Sequence, residues 1–277
     1  MEFERLATGF GMTEGPRVDE RNRLYFSDAY NGGVYRRSPD GQIETLIPDR
    51  NHVGGMAFAE SGGLIITGPS VAHWDERTGH IRDLLTEFDG KRITRFNDMT
   101  VDPRGSILAG SLLWDPGPGK ECVPGALYRI DPPGKDTLLW EPIQINNGLG
   151  FSPDGKLLYH ADSMSGVYVY DVTTDGEVKD RRLFAKLPKG VPDGLAIDAE
   201  GGVLVAAAPG DEMIRFRADG TLDQRIKVPT KMVLSLVFAG PDLCDLYVVT
   251  GDNVGRTGAI YRTRSEIPGV PVPKARF

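Results

Sequence analysis

A repeat of 40 to 50 residues runs through this chain, and no other feature narrows its fold so far. Short runs rich in Val, Ile, Leu, Tyr and Phe alternate with turn clusters of one form: SPDG at 38–41, DPRG at 102–105, DPPG at 131–134, SPDG at 152–155, DAEG at 198–201 and ADGT at 218–221. The apolar residue ending the strand before each inner turn is Val18, Phe58, Val101, Phe151, Ile197 and Phe238, at gaps of 40, 43, 50, 46 and 41 residues. A four-stranded propeller blade has that length. Second strands fall at Leu24–Phe26, Leu64–Ile66, Ile107–Ala109, Leu157–Tyr159, Val203–Val205 and Leu246–Val248. Third strands fall at Val34–Arg36, Val71–Trp74, Leu127–Arg129, Val167–Val169, Met213–Arg215 and Ile260–Arg262. The sixth unit has no evident fourth strand, and Phe3–Leu6 supplies one, closing the ring and removing the exposed edges. The spacing predicts an all-β, six-bladed β-propeller with four antiparallel strands per blade, one domain over residues 1–277. Two stacked β-domains are the alternative, but six matching units do not divide naturally into two sandwiches.

Composition agrees with this and excludes several function classes. The 35 glycines and 20 prolines suit a turn-rich chain, and no stretch keeps a helical apolar period. A net charge of −7 offers no basic footprint for nucleic acid. No apolar run approaches the roughly 20 residues that span a bilayer. The opening MEFERLATGF is acidic and polar where a signal peptide is basic and then apolar. Cys122 and Cys244 make neither a disulfide framework nor a metal spacing. The expectation is a cytoplasmic protein with no nucleic-acid or membrane partner; oligomeric state is not legible.

One offset carries the chemistry. Inner strands of a propeller run along the central channel, so equal offsets within them lie at a similar height. Four residues before each anchor stand Glu14, Gly54, Asn97, Asn147, Asp193 and Leu234. The next residues are Gly15, Gly55, Asp98, Gly148, Gly194 and Ser235, mostly small enough for backbones to converge. Two carboxylates about 4 Å apart repel by roughly 4 kcal/mol at an effective dielectric of 20, so one is protonated or a cation lies between them. Two carboxylates and two amide oxygens suit a hard divalent ion that keeps waters in its open positions. Ca²⁺ is the first choice, with Zn²⁺, Mg²⁺ and Mn²⁺ as alternatives. His52, His73, His80 and His160 share no offset and are assigned to surface or packing. Asp19, Asp102 and Asp198 begin turns and Asp28 and Asp162 end second strands, which gives all five a structural role.

TEGP at 13–16, RFND at 95–98 followed by VDPRG, NNGLGFSPDGKLLY at 146–159, PDGLAIDAEG at 192–201 and SLVFAGPDLCDLYVVT at 235–250 resemble segments of the senescence marker protein / gluconolactonase / luciferin-regenerating enzyme family, in order along the chain. The resemblance implies a six-bladed propeller with one catalytic divalent cation in the channel mouth. By motif, its ligands fall on Glu14, Asn147 and Asp193, with Asn97 a further ligand or substrate contact and Arg95 holding substrate oxygens. Arg17-Val18 departs from the EGP-x-Trp of many members, so packing below the first ligand differs. The Gly/Pro-rich segment LLWDPGPGKECVPG at 112–125 is placed as a substrate lid, with Asp115 as a polar contact, Trp114 as an apolar wall and Cys122 as an incidental thiol.

The expected activity is metal-assisted opening of a gluconolactone-like or other small lactone or ester. The cation polarises the carbonyl, Asp193 activates water and Glu14 anchors the metal. Phosphotriester hydrolysis, a non-hydrolytic isomerisation or elimination on the same cation, and a non-enzymatic interaction or calcium-binding propeller stand as alternatives.

Overall fold

The computed structural model describes residues 1–112, 124–252 and 255–277. Six four-stranded antiparallel sheets surround one axis, and no helix occurs among the described residues. The inner strands are Thr13–Val18, Met56–Phe58, Phe96–Val101, Asn146–Phe151, Val191–Ile197 and Val233–Ala239. Five of the six anchors end their inner strands, and Phe238 is one residue short of the sixth end. The last blade takes its outer strand from the N-terminus: Glu4–Phe10 pairs with Gly258–Arg264 from Glu4↔Arg262 to Phe10↔Gly258. That strand starts one residue later and runs four residues further than the Phe3–Leu6 predicted for it. A small hairpin, Glu87–Phe88 with Lys91–Arg92, is an addition between the second and third blades.

Each blade packs its faces against its neighbours, so its middle strands are apolar on both sides. Val203–Ala208, for example, is buried at every residue, whereas the outer strand Val178–Ala185 is mostly exposed or half-exposed. The second and third blades interlock through Phe96, Met99, Val101, Ile107, Ile65 and Val71. The turn aspartates do what their positions predict. Asp102 accepts from the backbone of Arg104 and Ser106, and Asp198 from Glu200 and Gly202 while also binding Arg215 at 2.8 Å. Buried Asp28 accepts from the backbone of Gly11, Met12, Tyr30 and Asn31, which ties down the turn at the channel mouth.

The C-terminal tail has a role that no repeat announced. It passes beneath the inner strands, with Val270 N–H donating to Ile197 O at 2.8 Å, Ala275 N–H to Phe58 O at 2.8 Å and Arg276 N–H to Gly105 O at 3.0 Å. Val270, Pro271, Val272 and Pro273 floor a cavity of about 50 Å³ that reaches up to Arg17 and Asp98. The channel is thus covered at the end where the inner strands finish.

Candidate metal centre and active site

Five inner strands break register at one height: between Glu14 and Arg17, Phe96 and Met99, Asn146 and Leu149, Pro192 and Leu195, and Val233 and Ser235. A bulge bends a strand and re-aims its side chains. These breaks span Glu14, Asn97, Asn147, Asp193 and Leu234, the residues of the shared offset; Gly54 precedes its own strand. The glycines that follow are required by contact between neighbouring inner strands. A Cβ on Gly55 would lie 2.5 Å from Met99 N, and one on Gly54 2.5 Å from Asn97 Oδ1. A Cβ on Gly148 would strike Leu195 N, and one on Gly194 would strike Ser235 Oγ.

The structure brings the four predicted residues together. Asn97 Nδ2 donates to Asn147 Oδ1 at 2.9 Å and to Asn146 O at 2.7 Å. Asn147 Nδ2 donates in turn to Ser163 Oγ at 2.9 Å, and Ser163 Oγ donates to Pro192 O at 2.7 Å, beside Asp193. The amide of Asn147 is thereby held at both ends. Burial pushes the Glu14 carboxyl well above the usual range, and the charges of Asp193 and Asp98 push it further. Burial, then the charge of Asp98, pushes Asp193 up to about 8. Burial also raises Asp98 to about 6, although the charge of Arg17 partly offsets it.

Asp98 and Arg17 belong to the site as much as the offset residues do. Asp98 stands where the five other blades place glycine or serine, an exception that was visible in the column itself. Arg17 is buried in the channel, donating to Pro16 O at 2.7 Å and Met99 O at 3.3 Å. Its presence is the altered packing expected from the departure at Arg17-Val18. Ser163 had no sequence signal, because it comes from a top turn rather than an inner strand. Arg95 lies two residues before Asn97, with Leu112 N–H donating to its carbonyl at 2.8 Å. Trp114, Asp115, Cys122 and most of the 112–125 lid fall outside the described residues.

The donor set fits a hard divalent cation. Among the described residues no three Asp, Glu, His or Cys side chains stand close enough to hold one ion. The set is two carboxylates, Glu14 and Asp193, with the amide oxygens of Asn147 and Asn97. No cationic side chain acts on either carboxylate among the described residues. Ionised together, such buried groups need a cation between them.

Comparison with known proteins places this geometry in context. The model of the SMP-30/gluconolactonase/LRE-like region matches residues 12–252. A 6-deoxy-6-sulfogluconolactonase of Pseudomonas putida is 32% identical over 267 residues, covering 90% of this chain and 89% of its own. A pentonolactonase of Haloferax volcanii is 32% identical over 264 residues, covering 91% and 86%. A solved luciferin-regenerating enzyme superposes with a TM-score of 0.89 at 25% identity, covering 100% of this chain and 99% of its own.

Proposed function

This chain belongs to the SMP-30/gluconolactonase/LRE-like family, and on that premise we propose that it is a divalent-cation-dependent lactonase, Ca²⁺ being the first choice of ion, that opens a small sugar-derived lactone. The observation that carries this reading is the meeting of Glu14, Asp193, Asn147 and Asn97 at one height of the channel, with no cationic side chain among the described residues to balance the two carboxylates. The 32% identity to two proteins named as sugar lactonases supports the substrate class.

Glu14, Asp193 and Asn147 hold the cation, and Asn97 is a further ligand or a contact to the ring. When bound, the cation supplies Lewis-acid polarisation of the ester carbonyl and charge to stabilise the oxyanion. Asp193 takes a proton from the attacking water as the new C–O bond forms, then returns it to the ring oxygen as the ester bond breaks. One water is added and a hydroxy acid leaves. Ser163 keeps Asn147 aimed by holding its Nδ2. Arg95 holds substrate oxygens at the mouth.

Proton release from γ- and δ-lactones, with Ca²⁺, Zn²⁺ or EDTA, tests the reading. Acid production abolished by EDTA and restored by one metal is the expected result. No opening of any lactone by folded, metal-supplied protein would reject it.

A further inference from the structure

Blades one and four carry the same turn at the channel mouth, built on the same buried carboxylate. Asp28 and Asp162 end the second strands of these blades, each 2% exposed. Asp28 accepts from the backbone of Gly11 and Met12, which lead into the strand of Glu14. Asp162 accepts in the same way from Gln144 and Ile145, which lead into the strand of Asn147. Ala29 N–H donates to Met12 O at 2.8 Å, and its counterpart Ser163 N–H donates to Ile145 O at 3.1 Å. Each carboxylate then accepts from the residue two positions on, Tyr30 N–H at 3.2 Å and Met164 N–H at 3.3 Å. Thr13 pairs with Asp28 and Asn146 with Asp162, so both turns rise from the strand pair just above Glu14 and Asn147. Inner strands meet in chain order around the ring, which sets blade one opposite blade four.

What the two turns present is apolar. Tyr30 is 56% exposed on one side of the channel and Met164 is 64% exposed on the other. Val191, 37% exposed, begins the inner strand of blade five and neighbours Met164, because Ser163 Oγ donates to Pro192 O at 2.7 Å. The other large apolar side chains left exposed among the described residues lie on outer strands, in the tail beneath the channel or at the N-terminus. Scattered singly, such residues need no explanation. A matched pair on equivalent, rigidly bonded turns at one channel mouth does, since binding residues are carried on loops that a scaffold holds in place.

We propose that Tyr30 and Met164, with Val191, grip an apolar stretch at the end of the substrate away from its lactone carbonyl: an alkyl tail, or the deoxygenated end of a sugar chain. With the carbonyl at the level of Glu14 and Asn147, the substituent beside the ring oxygen reaches toward the mouth, where the two turns stand. Apolar area taken from water there favours binding, whereas a hydroxyl in the same place loses hydration without gaining a partner. Backbone N–H groups make the bonds to Asp28 and Asp162, so the two side chains take no part in holding their turns. This inference rests on the lactonase reading for which end of the substrate lies deep.

Proton release from γ-butyrolactone, γ-valerolactone, γ-hexalactone and γ-octalactone, whose tails lengthen from none to butyl, tests the alkyl case. The expected kcat/KM rises about two- to fourfold per tail carbon, through KM more than kcat. The γ-lactones of L-rhamnonic and L-mannonic acid, alike except for a terminal methyl or hydroxymethyl, test the sugar case. There the methyl compound should be preferred roughly fivefold. Tyr30→Ser and Met164→Ser should each weaken the preference and together remove it, while Tyr30→Phe and Met164→Leu keep it. A flat tail series with equal rates on the two sugar lactones, or a preference that survives the double variant, would overturn the proposal. Should the double variant not fold, the single variants decide, and a preference insensitive to both overturns it. If no lactone is opened, the lactonase reading falls and calorimetry in the presence of Ca²⁺ decides the rim separately. Rhamnonate binding tighter than mannonate, with the difference lost in the serine variants, supports the rim; equal binding rejects it.

Discussion

Asp193→Asn should stabilise the cation-free protein while removing its turnover, and the gain should grow with pH. In the folded chain Asp193 titrates near 8 against a usual 3.8. Between those values the folded protein holds a proton that the unfolded chain has released, so stability falls as pH rises, by about 1.4 kcal/mol per unit for one group. From pH 5 to pH 8 the ceiling is thus about 4 kcal/mol. Glu14 and Asp98 are raised by burial as well, and Glu14 further by the charges of Asp193 and Asp98, which spreads proton release over the group and leaves about 2–3 kcal/mol for Asp193 itself. At roughly 2–4 °C per kcal/mol for a chain of this size, the margin by which the variant melts above wild type should be about 5–8 °C larger at pH 8 than at pH 5, and should close only toward pH 4. His160, depressed to about 3 by burial, titrates with the opposite sign, since the unfolded chain protonates it first. It is the same in both proteins and cancels in the difference. The assay is thermal melting of EDTA-dialysed proteins at constant ionic strength across this range. Parallel curves, or a variant that melts lower at pH 8, would refute the electrostatic reasoning. Adding Ca²⁺ should then reverse the order at pH 8.

Two further perturbations probe the support of the site. Ser163→Ala leaves Asn147 Nδ2 without its partner and should weaken Ca²⁺ binding roughly 10- to 100-fold, with most turnover regained at saturating metal; an unchanged calorimetric affinity would remove Ser163 from the site. Ending the chain at residue 265 deletes the strands of contact to Phe58, Gly105 and Ile197 and uncovers the cavity beneath Arg17. After the regained entropy of the tail, the loss should be about 2–4 kcal/mol, seen as a lower melting point; an unaltered melting point would show that the floor adds nothing.

The period of the apolar anchors was enough to determine the architecture, because each blade is a local unit of strands and turns whose signals lie within 50 residues. The same period put Glu14, Asn97, Asn147 and Asp193 at one height, since an offset in a repeat is a coordinate around the axis. Closure by the N-terminal strand was legible too, as the sixth unit lacked a partner. What strand register and blade contact decide was not. The bulges that aim the ligands and the hold of Ser163 on Asn147 lie within single blades but depend on how neighbouring strands pair, and the charge of Arg17 reaches Asp98 from another blade. The tail from Val270 to Phe277 carries no repeat, and only packing under the inner strands gives it a place. Arg95 illustrates the division well. Sequence put an arginine next to the ligand segment, but that its Nε is buried without a partner among the described residues is decided only by the folded packing around it.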